Sequence, residues 1–142
     1  MLANLSGGDL LVETGLAERC QFLVAGIVGW IRKHEGVLRA ALKHDDTRPD
    51  RWTTFKGRAS TARATPLLLP AMGKGREAAK TRSIAIGFQV VLGTLVNAIL
   101  NDPGPLSIQD REMEVRLGHC LLLLLQAEMT PPATGASRQR KR

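Results

Sequence analysis

Apolar side chains recur at helical spacing between residues 16 and 33. At 100° per residue, one stripe about 100° wide collects Leu16, Cys20, Leu23, Ile27, Trp30 and Ile31. This pattern predicts an amphipathic helix over Leu16–Lys33. Phe22, Gly26 and Gly29 lie beside its polar side, and a glycine within a helix costs about 1 kcal/mol relative to alanine. The pair therefore indicates either a closely approaching neighbouring helix or space left for a ligand.

The middle of the chain predicts shorter helices. After Gly36, the run 37–42 predicts two helical turns that end near His44. A further helix from about Arg48 would place Trp52 and Phe55 on one side.

Prolines and glycines mark the end of this middle region. Pro66 and Pro70 disfavour a helical conformation for the residues before them, so we expect a kink or break near Thr65. Gly73 and Gly75 predict a loop.

The segment 77–100 predicts a long apolar helix. No charge occurs between Arg82 and Asp102, which raises the question of a membrane span, but polar residues interrupt the run and favour a buried helix. Its main stripe consists of Ile84, Phe88, Val91, Leu92, Leu95 and Ile99. A second, uncharged face consists of Ile86, Val90, Gly93 and Asn97.

The residues 101–105 predict the end of this helix, and Ser107 is the predicted N-cap of a last helix over 108–126. One stripe of this helix consists of Met113, Leu117, Cys120, Leu121 and Leu124. A second consists of Val115, Gly118, Leu122 and Leu125. No alternating strand pattern is visible, so the sequence predicts an all-α bundle of about five helices.

Composition supports a single helical domain. The chain has 142 residues, 44% of them hydrophobic, which is enough for one core over about residues 1–130. Aromatic residues make up only 4%, with no tyrosine, which disfavours a sheet protein. The two cysteines do not form a disulfide framework, and the first residues lack the basic start of a signal peptide, so we expect a cytoplasmic protein with no membrane association.

The net charge of +7 is unevenly distributed. Residues 43–82 carry ten basic and four acidic side chains, and four basic residues lie in the segment 131–142, which we expect to be a disordered tail. A basic helical adaptor that binds nucleic acid or acidic partners is therefore an alternative function. Steep dependence on salt of its binding to random duplex DNA would distinguish it.

Candidate catalytic chemistry is sparse. His34, His44 and His119 lie on separate segments, without the spacing of a helical metal pair. The segment Gly73-Lys74-Gly75 lacks the serine or threonine and the preceding strand of a phosphate-binding loop. We therefore expect neither an enzyme nor a metal or other cofactor.

Large rings on helices are the remaining candidate chemistry. Such side chains fill protein cores, but they also line apolar pockets between the helices of bundles. We predict that a small hydrophobic effector binds among Phe22, Gly26, Trp30, Trp52, Phe55 and Phe88.

The order of segments resembles the regulatory half of TetR-type transcriptional regulators. Residues 16–42 resemble the first long helix of that domain and the short helix after it. Residues 84–100 resemble the penultimate helix, and the turn 101–107 with the segment 108–126 resembles the connector and last helix. The resemblance covers about residues 16–126 as a diffuse pattern.

This resemblance implies a domain that senses an apolar effector and dimerises through its last two helices. On that basis we predict a homodimer interface formed by Ile86, Val90, Gly93, Asn97, Val115, Gly118, Leu122 and Leu125, and we favour the Leu122 face. The family's N-terminal helix-turn-helix segment has no counterpart here, so direct operator binding by this chain is not expected.

Overall fold

The computed structural model describes residues 15–45, 62–101 and 104–129. Within these ranges every regular element is helical and no strand occurs, which confirms the predicted all-α class. The predicted helix from Arg48, with Trp52 and Phe55, and the tail 131–142 lie outside the described residues.

The described elements are five helices. They are α1 (Leu16–Lys33), α2 (Glu35–Asp45), α3 (residues 62–68, continuing into a 3-10 turn at Leu69–Met72), α4 (Glu77–Asn101) and α5 (Arg111–Met129). The predicted boundaries of α1 and α4 agree with these to within one residue.

The last helix begins later than its sequence pattern predicts. Ser107 does not cap it directly: residues 107–110 form a turn in which the Asp110 backbone N–H donates to the Ser107 carbonyl at 3.1 Å. The Asp110 carbonyl then accepts from the Met113 backbone N–H, which opens the first turn of α5. Short polar side chains before a helix stabilise such turns as readily as they cap the helix itself.

The predicted break near Thr65 is wrong. Residues 62–68 are helical across Thr65 and Pro66, and the change of conformation comes at the 3-10 turn Leu69–Met72. The predicted loop follows, with Gly73 at φ 83° and Gly75 at φ 81°, a left-handed conformation that side chains disfavour.

Helix α5 is the central element, because α1 and α4 pack along two of its sides. Near the start of α5, Glu114 pairs with Arg32, which lies at the end of α1. Near its end, Arg76 pairs with Glu128 at 2.7 Å and so joins the start of α4 to the end of α5. These links make both neighbours antiparallel to α5.

The core lies between these three helices and α3. Its fully buried large side chains are Phe88, Leu68, Met72, Ile84, Leu95, Met113, Leu121, Leu125, Val24, Val28 and Val91. In α1 the buried line runs through Val24 and Val28, whereas the sequence pattern placed Trp30 on the buried stripe. The buried side is rotated away from Trp30 because Gln21 packs against α5.

Two glycines permit the close packing around α5. A Cβ atom at Gly118 would lie 2.4 Å from the side chain of Gln21 on α1. A Cβ atom at Gly87 on α4 would lie 2.6 Å from Leu121 Cδ1 on α5. With the side chains in these positions neither site has room for a Cβ atom, so the helices approach closely at both glycines.

Arg32 at the end of α1 holds the connection between α4 and α5. Its guanidinium donates to the Ile108 carbonyl at 2.6 Å and the Asp110 carbonyl at 2.7 Å, and it also pairs with the Glu114 carboxylate. Arginine can make all three bonds at once because its donors form a planar fork. This half-buried side chain therefore satisfies backbone groups just before α5 begins.

We predict opposite effects for two glycine-to-alanine substitutions. Gly87→Ala should lower the free energy of unfolding by about 1–2 kcal/mol, because the new Cβ atom would lie 2.6 Å from the side chain of Leu121, which is fully buried. Gly36→Ala should raise it by about 0.5 kcal/mol, because no heavy atom of the described residues lies within 4 Å of the new Cβ atom and alanine favours the helix. Urea unfolding followed by circular dichroism measures both, and equal effects would contradict the close packing.

We also predict that Arg32→Met lowers the free energy of unfolding by about 2–3 kcal/mol, because it removes charge-assisted bonds to two backbone carbonyls. The control is Arg116→Met, which removes an exposed ion pair to Glu112 within α5 and should cost about 0.5 kcal/mol or less. The same urea titration compares the two variants. A loss in Arg32→Met no larger than in the control would contradict the role of Arg32.

Candidate functional site

The outward side of α4 carries an exposed apolar row. We call Ile86, Val90, Gly93 and Asn97 the α4 stripe; all four are exposed, and the side chains of Ile86 and Val90 are 45% and 44% exposed. Their successive spacings of four, three and four residues keep them on one line along the helix, which is the spacing of a helix–helix seam. The predicted second face of this segment is therefore real and faces outward.

Polar groups along the α4 stripe bond within the helix. The Thr94 hydroxyl donates to the Val90 carbonyl at 2.9 Å. Asn101 Nδ2 donates to Asn97 Oδ1 at 2.8 Å. The surface along the stripe is thus uncharged from Ser83 to Asn101, and part of its hydrogen-bonding capacity is already used.

The other side of α4 is buried in the core. Ile84, Phe88, Val91 and Leu95 are each at most 2% exposed. The helix is therefore apolar on both sides, while the chain buries one of them. Helices that are apolar all round are normally covered all round.

The predicted α5 part of the dimer interface needs correction. Val115 is exposed, but Gly118 is covered by Gln21, and Leu125 is fully buried within the chain's own core. Leu122 is partly buried and packs against that core. The favoured Leu122 face of α5 is thus directed mainly inward, because α1 packs against it, and the exposed part of the predicted interface lies on α4.

The predicted effector site does not assemble among the described residues. Phe22 and Trp30 are 59% and 55% exposed on the outward side of α1, and nothing lies within 4 Å of a Cβ atom at Gly26. Phe88 lies in the core on α4. The rings of α1 and the ring of Phe88 therefore do not face a common cavity.

One exposed ring is held in place by its neighbour. The rings of Trp30 and His34 stack with centroids 4.6 Å apart, and His34 Nδ1 lies 2.8 Å from the Trp30 carbonyl oxygen. The spacing of four residues in sequence is a signal that could have predicted this contact, because it places both side chains on the same side of a helix.

Titratable groups offer little reactive chemistry in the described ranges. No group of three or more His, Cys, Asp or Glu side chains there could hold a metal ion. Burial raises the pKa of the Cys20 thiol from 9.0 to about 11, so this cysteine is a poor nucleophile at neutral pH. Cys120 is exposed on α5.

Sequence reasoning missed two buried cations. The Lys80 ammonium group donates to the Gly73 and Lys74 carbonyls at 3.2 and 3.3 Å, and the Arg19 guanidinium donates to the Leu67 carbonyl at 2.7 Å. Both stabilise the carbonyl-rich end of α3 and the loop after it. Their role is structural, and nothing in the sequence pattern distinguishes them from exposed basic residues.

Hydropathy also identifies α4 as unusual. Among the described residues, Glu77–Asn101 is the one helix long and apolar enough to cross a membrane, with a mean hydropathy of 1.9 over its most apolar window. Length and composition alone do not separate a membrane helix from the core helix of a soluble bundle.

Comparison with known proteins adds no relative. No model of a known protein family, no curated protein sequence and no solved structure matches this chain. The resemblance to TetR-type regulatory domains therefore depends on the sequence segments described above.

We predict that Cys20 makes the protein less stable at alkaline pH. Below pH 9 the thiol is protonated in both states. Between pH 9 and about 11 the unfolded chain loses this proton while the folded chain keeps it, so the free energy of unfolding should fall by about 2–3 kcal/mol. Urea unfolding from pH 8 to 10.5 should show a steeper loss in the parent than in Cys20→Ala. Parallel curves for the two proteins would contradict the burial of this thiol.

Proposed function

We propose that this chain is a homodimerising helical domain of the TetR regulatory type, and that its α4 stripe is the contact between copies. The observation that carries the proposal is the exposed, uncharged row Ile86, Val90, Gly93 and Asn97 on a helix whose opposite side forms the core. A second copy covers this row in the way that the core covers the other side.

Free energy favours this pairing. Covering a large apolar side chain stabilises the assembly by up to about 1.5–3 kcal/mol, and Ile86 and Val90 each expose close to half of their surface. Because a two-fold contact uses the same row from both copies, the gain counts twice. No charge in the row needs to be desolvated.

The sequence of the α4 stripe suits two helices packed side by side. No heavy atom of the described residues lies within 4 Å of a Cβ position at Gly93, so a neighbouring helix can approach its backbone closely. Asn97 supplies one polar group in an otherwise apolar row, and a single such asparagine selects one register of helix pairing. The contact is therefore centred on α4.

The regulatory role comes from the resemblance. In TetR-type proteins the corresponding domain holds two DNA-reading heads in one dimer, and an effector alters their spacing. We extend the dimerisation role to this chain on the α4 stripe. Effector binding remains a prediction from the resemblance, because the described rings do not meet in one cavity. No contact among the described residues favours the basic adaptor.

The test replaces one residue of the α4 stripe by a charge. Val90→Glu should convert a dimer of twice the chain mass into a folded monomer, because the carboxylate would have to be buried in the contact. The matched control is Ala40→Glu, which adds the same charge at an exposed position of α2. Size exclusion with light scattering at tens of micromolar, without detergent, measures both.

Several results would contradict the proposal. A parent that is a well-folded monomer at this concentration excludes the contact. A parent that stays soluble only in detergent or with lipid vesicles indicates that α4 meets a membrane instead. A Val90→Glu variant with the mass and circular dichroism of the parent places any dimer contact elsewhere.

A further inference from the structure

The outward side of α1 carries a second surface that the described part of the chain does not cover. We call Phe22, Gly26, Gly29 and Trp30 the α1 face; it consists of two exposed rings with two glycines between them. Within the described ranges, nothing lies within 4 Å of a Cβ atom at either glycine, so these residues leave the helix backbone open from outside. Glycine is a poor helix former, and no packing within the described chain explains its use here.

The spacing along the α1 face suits two helices that lie side by side. Phe22 and Trp30 are eight residues apart, which is about 12 Å along the axis, and Gly26 lies midway between them. An antiparallel helix that packs along α1 at Gly26 would therefore contact both rings. The glycines would allow backbones to approach more closely than side chains normally permit.

Charges at the ends of the α1 face are opposite in sign. Glu18 lies one turn before Phe22, and Lys33 lies about one turn after Trp30; both are exposed. A second α1 helix running antiparallel would place each of these charges near its opposite. The rings also pair between copies, because an antiparallel crossing at Gly26 puts Phe22 of one copy opposite Trp30 of the other.

We infer that the α1 face binds the α1 face of a second copy of this chain, as an antiparallel helix crossing centred on Gly26. Three features of the surface are self-complementary under a two-fold axis at that point: ring against ring, glycine against glycine, and Glu18 near Lys33. Surfaces with this property form isologous contacts. The stacked His34 supports the contact because it holds the Trp30 ring in one orientation before binding.

This contact is separate from the α4 stripe. Helices α1 and α4 pack on different sides of α5, so one copy has room to use both surfaces with two different copies. A chain with two isologous contacts has two two-fold axes. It forms a tetramer when these axes generate a closed assembly, and a longer, open assembly when they do not. The inference therefore stands or falls independently of the proposed dimer.

A single engineered cysteine tests the crossing point. In a Cys120→Ser background, Gly26→Cys should form a disulfide between two copies under mild oxidation, because a residue on a two-fold axis meets its own image within the distance that a disulfide needs. The control is Gly36→Cys, an exposed glycine of α2 ten residues further on. Non-reducing gel electrophoresis should show at least tenfold faster cross-linking of Gly26→Cys. Equal rates would overturn the inference.

Charge reversal tests the direction of the two helices. Glu18→Lys and Lys33→Glu should each slow cross-linking of Gly26→Cys severalfold, and the double swap should restore the rate. Glu18 also accepts a hydrogen bond from the Gly15 backbone N–H at 2.6 Å, so the single variant weakens the start of α1 as well. Recovery in the double swap cannot come from that bond. No recovery overturns the antiparallel pairing.

Repeating the experiment with Val90→Glu separates the two contacts. If that variant still cross-links through Gly26→Cys after losing the α4 contact, the α1 contact exists independently. If cross-linking disappears together with the α4 contact, the α1 face is not a contact of its own and the inference fails. If Val90→Glu leaves the mass of the assembly unchanged while Gly26→Cys cross-links, the proposed α4 dimer fails and the α1 contact stands.

Discussion

The constraint on which this structure depends is that α4 is apolar on two sides and the chain covers one of them. Nineteen consecutive residues, from Ser83 to Asn101, carry no charge. Ile84, Phe88, Val91 and Leu95 form the centre of the core, while the α4 stripe faces outward. A helix of this kind needs a second apolar surface, and its length and hydropathy equally suit a membrane. In the proposed dimer, a second copy would supply that surface in water.

The way in which α5 is packed explains why the unpartnered side lies on α4. Gly118 brings α1 against one side of α5, and Gly87 brings α4 against another, so Leu121 and Leu125 are enclosed within the chain. Arg32 then holds the carbonyls just before α5 and connects the end of α1 to its start. With α5 occupied on two sides, the outward side of α4 is left as an uncharged surface that the described residues do not cover.

The sequence pattern predicts which segments are helical more reliably than it predicts their partners. The uncharged second face of α4 was predicted correctly because nineteen residues without charge leave no solvated side. In contrast, the buried side of α1 is rotated relative to the predicted stripe, since periodicity does not reveal that Gln21 fills the space over Gly118. For the same reason the rings of Phe22 and Trp30 were assigned to a pocket, although they face outward. Contacts with residues distant in the sequence determine which side of α1 is buried and which side faces outward.

The central claim is that the α4 stripe touches its own image in solution. Isotope-filtered nuclear magnetic resonance on a mixture of labelled and unlabelled chains measures this contact directly, through the methyl groups of Ile86 and Val90. The account predicts intermolecular nuclear Overhauser effects between these methyl groups and α4 protons of the other copy. It is contradicted if such signals are absent while Val90 methyl groups keep the solvent exposure of a monomer at millimolar concentration.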